Sequence, residues 1–85
     1  MKYLFIILEI QDGEREYEYR LITTTNCKNI LFAAEWYAAH FWGIGEKYRK
    51  EDDFWWFDNE ITIRLAKVEE ITDKQYQYLN ELFSH

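Results

Sequence analysis

KYLFIILEIQDGEREYEYRLIT, residues 2–23, holds two β-prone runs around an Asp-Gly pair, and the fold follows from how those runs pair. Asp-Gly between such runs is a strong hairpin signal, because both central residues of a type I′ turn need φ > 0. A turn at Asp12 and Gly13 sets Leu4 against Leu21, Ile6 against Tyr19 and Leu8 against Tyr17 on one side, since side chains alternate along a strand. That side is the expected core. The other side carries Tyr3 with Ile22, Phe5 with Arg20, Ile7 with Glu18 and Glu9 with Glu16, and is more apolar than a water-facing sheet usually is. A first strand that is apolar on both faces belongs in the interior of the sheet.

The second half repeats the pattern with EDDFWWFDNE, residues 51–60, followed by ITIRL. A turn at Asp58 and Asn59 pairs Trp56 with Ile61 and Phe54 with Ile63 on the core face. Trp55 with Thr62 and Phe57 with Glu60 then face outward, where Asp53 meets Arg64 as an opposite-charge pair.

Between the hairpins, TTTNCKNILFAAEWYAAHFWGIG predicts a helix with Asn26 as N-cap and Gly43 as stop. Cys27, Ile30, Leu31, Ala34, Ala38 and Phe41 form one stripe, edged by Tyr37 and Trp42, and this stripe is expected on the sheet. Phe32, Trp36 and His40 recur every four residues on the reverse side, next to Ala33, which leaves the helix apolar nearly all round. ITDKQYQYLNELF near the C-terminus predicts a second helix. It carries a capping box of Thr72 with Gln75, a staple from Ile71 to Tyr76, and a buried stripe of Tyr76, Leu79, Leu82 and Phe83. The expected fold is therefore a single α+β domain over residues 1–85. It is a two-layer ββαββα arrangement whose four-stranded, mostly antiparallel sheet has both helices packed on one face.

The chain has 85 residues, 20% of them aromatic, and a formal charge of −6. A domain this short relies on large side chains for its core. One cysteine excludes an internal disulfide, and no stretch is long enough to span a bilayer, so the expected setting is a bacterial or phage cytoplasm with no membrane partner. The acidic balance argues against direct nucleic-acid binding, which draws its affinity from lysine and arginine. Lys47, Arg49 and Lys50 around Tyr48 are followed at once by Glu51, Asp52 and Asp53, and are expected to form a solvated, charged loop.

No motif names a reaction. GIG at 43–45 is a helix stop rather than a phosphate cradle, and Cys27, His40 and His85 lack the spacing of a zinc site. Placed on one helix, Cys27 and His40 would stand roughly 20 Å apart, too far for a nucleophile and its base. Glu35 and His40 point to different sides. The acidic group Glu51, Asp52, Asp53, Asp58 and Glu60 has the oxygen chemistry of a divalent-cation site but is read as a solvated rim, so no cofactor or metal is expected.

What stands out is aromatic excess away from the expected core. Tyr3, Phe5, Ile7, Ile22, Trp55 and Phe57 form one candidate interaction surface on the outer sheet face, and Phe32, Trp36 and His40 form a second on the helix. The expected function is a small non-enzymatic protein-interaction module, self-associating as a homodimer through the aromatic sheet face or binding a protein partner. One alternative is an acidic decoy of phage or mobile-element type that occupies a basic site on another protein. A further alternative is a small-molecule binder with a pocket near Trp42, Tyr48 and Trp56.

Overall fold

The computed structural model describes residues 1–41, 48–58 and 61–83, with the backbone alone at 58. Its elements are β1 (Lys2–Asp12), β2 (Arg15–Thr25), α1 (Ile30–Ala39), β3 (Arg49–Glu51), β4 (Phe54–Asp58), β5 (Ile61–Ile71) and α2 (Asp73–Phe83). The strands form one antiparallel sheet in the order β2-β1-β5-β4-β3, so the fold is α+β with five strands rather than four. β1 is interior, in keeping with its two apolar faces.

The additional strand is β3, where a charged loop was expected. Its three residues are exposed. Arg49 lies over the Trp56 ring at 5.5 Å and Lys50 over Trp55 at 4.7 Å, so both cations cover indoles of the neighbouring strand. A short, charged edge strand has no apolar periodicity to betray it, and the same properties protect the sheet edge. Asp52, in the turn to β4, has φ 56°. Asp52→Gly removes the Cβ clash of that conformation. It is expected to raise stability by up to about 1 kcal/mol, read as a higher urea midpoint; a lower midpoint would show that the Asp52 side chain stabilises the turn.

The first hairpin turns at Gly13 and Glu14, not at Asp12 and Gly13. Gly13 has φ 62°, and among the described residues the only other positive φ is at Asp52. A glycine at the first central position followed by a residue with negative φ is the type II′ arrangement. Leu4 therefore opposes Thr23, Ile6 opposes Leu21 and Leu8 opposes Tyr19. The shift is two residues, which keeps every side chain on its expected face. Leu4, Ile6, Leu8 and Ile10 are buried.

The second hairpin pairs one residue differently from expectation, and there the faces exchange. Trp55 opposes Ile63 and Trp56 opposes Thr62, while a bulge makes Phe57 the extra residue before Asp58 opposite Ile61. Trp55 is only 4% exposed and joins Ile63 and the β1 residues in the core, and Trp56 turns to the other face. Phe54 opposes Arg64, displacing the expected Asp53–Arg64 pair. Asn59, expected in the turn with Asp58, and Glu60, expected opposite Phe57, lie outside the described residues.

α1 begins later than expected because β2 runs on to Thr25. Cys27 precedes the helix, its N–H donating to Thr25 Oγ1 at 3.1 Å, and Asn29 rather than Asn26 is the N-cap, its side chain accepting from Leu31 and Phe32 N–H. The inward face is also rotated. Ala33, Ala34, Ala38 and Ala39 are buried against the sheet, with Ile30, Tyr37, Phe41 and Cys27 packed at the margin, while Leu31 is exposed. A face of alanines lets the helix backbone approach the strands closely. The expected stop at Gly43 lies outside the described residues.

α2 has its capping box: Gln75 N–H donates to Thr72 Oγ1 at 3.1 Å and Thr72 N–H to Gln75 Oε1 at 2.9 Å. It does not share a face with α1. Tyr37 of α1 reaches Thr23, which opposes Leu4 on the core face, at 2.6 Å. Tyr76 of α2 packs on Tyr3, of opposite parity to Leu4, with ring centroids 4.8 Å apart. A single residue, Thr72, separates the end of β5 from the first turn of α2, and the apolar second face beside Tyr3 is where burial remains to be gained. The seat is shallow: Tyr76 and Leu79 are half-buried, whereas Leu82 and Phe83, expected in the buried stripe, are exposed.

Candidate interaction surfaces

The four sheet residues Tyr3, Phe5, Ile7 and Ile22 do share one face, and all are half-buried. Trp55 and Phe57, expected beside them, do not: Trp55 is a core residue on the opposite face, and Phe57, partly buried, packs against that core from the bulge. The one-residue register change is the reason, so the expected aromatic sheet surface is divided between the two sides. α2 covers part of what remains, with Tyr76 on Tyr3.

The second set stays together. Asn29 caps the helix so that Phe32 and Trp36 lie one turn apart on its outer side, 62% and 43% exposed, with Leu31 beside them. Trp36 stacks on His40 with centroids 4.3 Å apart, and His40 Nδ1 lies 2.8 Å from the Trp36 carbonyl oxygen, which holds the imidazole flat on the indole. The row continues off the helix: His40 meets Tyr48 edge-on at 6.2 Å, and Tyr48 meets Phe57 at 6.0 Å. Tyr48 is itself exposed. The every-fourth-residue recurrence made the helical part of this row visible in the sequence; Tyr48 joins it only through tertiary contact.

A second feature, absent from the sequence reading, is an open concavity of about 540 Å³ on the α2 side of the sheet, lined among others by Glu9, Gln11, Glu16, Glu18, Phe54 and Arg64. Arg64 donates to Glu9 through Nε at 2.9 Å and also through Nη2. This pair arises because β5 lies beside β1, which strand order alone decides. Both side chains are well exposed, so the pair contributes on the order of 1 kcal/mol or less. The carboxylate is matched by its guanidinium rather than aimed at empty space.

Asp52 and Asp53 of the acidic group are exposed turn residues. Glu60 and the Asp58 side chain lie outside the described residues, and among those described no three His, Cys, Asp or Glu gather as a metal site. Trp42 of the expected pocket also lies outside them, while Trp56 pairs with Arg49 on the α2 side. No described helix is long and apolar enough to cross a membrane. No family model, curated protein or solved structure matches the chain.

Proposed function

We propose that this chain is a small, non-enzymatic protein-interaction module that self-associates. The observation that carries the proposal is the exposed aromatic row on the outer side of α1, Phe32 and Trp36 continued by His40 and Tyr48. A helix already resting on alanines does not need two large aromatics on its far side for folding, and such residues are the ones that carry binding energy at protein interfaces. The acidic-decoy alternative ranks second. Glu9, Glu18, Glu51, Glu69 and Glu70 each lie within ion-pair distance of Arg64, Arg20, Arg49, Lys67 and Lys2, so negative charge is interleaved with positive.

Two measurements test the proposal. Sedimentation velocity on the native chain from low to high micromolar concentration is expected to show concentration-dependent association, and a strict monomer overturns it. The double variant Phe32→Ser, Trp36→Ser is expected to keep its stability within about 1 kcal/mol, because both side chains are exposed. The same variant is expected to lose protein partners that crosslink to the native chain in 0.5 M salt. Partners retained by the variant overturn the role of α1; partners released from the native chain by salt favour the decoy instead.

A further inference from the structure

The two edges of the sheet differ. β3 is three residues long, whereas β2 runs for eleven and, among the described residues, pairs only with β1. Its first six residues, Arg15 to Arg20, are all exposed. A long edge presents unpaired backbone donors and acceptors and is a template for another strand. Because a two-residue turn closes on a hydrogen-bonded pair, here Asp12 with Arg15, the alternate residues Glu16, Glu18, Arg20, Ile22 and Thr24 direct their N–H and C=O groups away from β1.

Resting on the module proposed above, we infer that the occupant of this edge is a second copy of the chain, paired antiparallel through β2 about a two-fold axis at Tyr19. The outward backbone groups allow only registers that set even-numbered residues against even-numbered ones. Centring on Arg20 sets like charge against like, centring on Tyr17 sets Glu16 against Glu18, and centring on Glu18 makes two Glu16–Arg20 pairs but opposes Glu18 to its own copy between them. Centring on Leu21 brings no charges together. Centring on Tyr19 sets Glu18 of each copy against Arg20 of the other, twice, with Tyr17 against Leu21.

Glu18 and Arg20 already pair within one strand at 3.2 Å on the same face, so a second copy joins two such pairs into a four-charge cluster of alternating sign. The same charges discourage every other partner strand, which is how a long edge stays soluble until the right one arrives. The surroundings fit. Tyr17 and Tyr19 are exposed on the α1 side of the edge. On the other side, an open concavity of about 550 Å³ lies between β2 and the last turn of α2, where Leu82 and Phe83 are exposed and Ile22 lines the floor. A two-fold axis perpendicular to the strands makes one ten-stranded sheet, with both α1 aromatic rows on the same side and available to a partner together.

Register is tested by symmetric disulfides. In a Cys27→Ala background, single cysteines replace Glu18, Tyr19, Arg20 or Leu21 in turn, and each protein is exposed to oxidised glutathione with its fold checked by circular dichroism. Tyr19 faces its own copy across a non-hydrogen-bonded pair, roughly 4.5 Å between Cα atoms, within disulfide reach. Tyr19→Cys is therefore expected to give predominantly covalent dimer, and the other three little. Separately, Glu18→Arg and Arg20→Glu are each expected to weaken dimerisation on the order of tenfold, and an equimolar mixture of the two to recover it as a heterodimer. Association of the native chain without a Tyr19→Cys crosslink, or with crosslinking centred on Leu21, overturns this interface and leaves the module standing. A native chain that is strictly monomeric overturns self-association altogether.

Discussion

Trp55→Ala is expected to lower stability by about 3–5 kcal/mol, a large part of what a domain of this size has, while Trp56→Ala on the neighbouring residue costs markedly less. The difference comes from register. Trp55 is 4% exposed, stands opposite Ile63 and is roofed by the Lys50 ammonium at 4.7 Å, so its removal leaves a cavity bounded by core strands and α1. Trp56 is half-exposed on the other face beside Arg49, and water replaces much of what it loses. Urea denaturation of both variants decides the matter. The opposite order of costs would mean that no bulge exists at Phe57 and that Trp56, not Trp55, belongs to the core.

Ala34→Leu is expected to cost about 1–3 kcal/mol although leucine is an excellent helix former, because Ala34 is fully buried where α1 lies against the sheet. The added methylenes push α1 off the strands and strain the hydrogen bond that joins Tyr37 of the same helix to Thr23 of β2. Leu31→Ala, the inverse change three residues earlier, removes a larger side chain yet falls within about 0.5–1 kcal/mol, since Leu31 is exposed. Denaturation of the pair measures which face of α1 is inward. A Leu31→Ala protein that lost about 2–5 kcal/mol would place the expected stripe, with Leu31 inside, against the sheet after all.

These variants also mark where sequence patterns sufficed and where they did not. The first hairpin tolerated an error in its turn: moving it from Asp12 and Gly13 to Gly13 and Glu14 displaces the register by two residues, and parity preserves the faces, so Leu4, Ile6 and Leu8 are buried as expected. The second hairpin had no such tolerance. A single extra residue at Phe57 reverses the sides of Trp55 and Trp56, and four consecutive aromatics carry no alternation that could reveal it. On α1, an apolar pattern extending nearly all round leaves the inward direction open. Small alanines face inward in place of Leu31, letting the backbones of helix and sheet approach closely and pack densely.

Composition, turn residues and local caps thus determined that the chain forms an α+β domain, that residues 2–25 make a hairpin with a known inner face, that Thr72 and Gln75 start the last helix, and that Phe32 and Trp36 share a side of α1. Each of these is settled within a few residues along the chain, by steric limits on φ, by hydrogen bonds across one helical turn, or by the period of the element. Only the tertiary structure decided that β5 lies beside β1, that β3 closes one edge while β2 leaves the other long, that α2 crosses to the second face, and that Tyr48 extends the aromatic row. Those outcomes depend on competition among distant apolar surfaces for burial, a quantity summed over the whole chain and written in no single stretch of it.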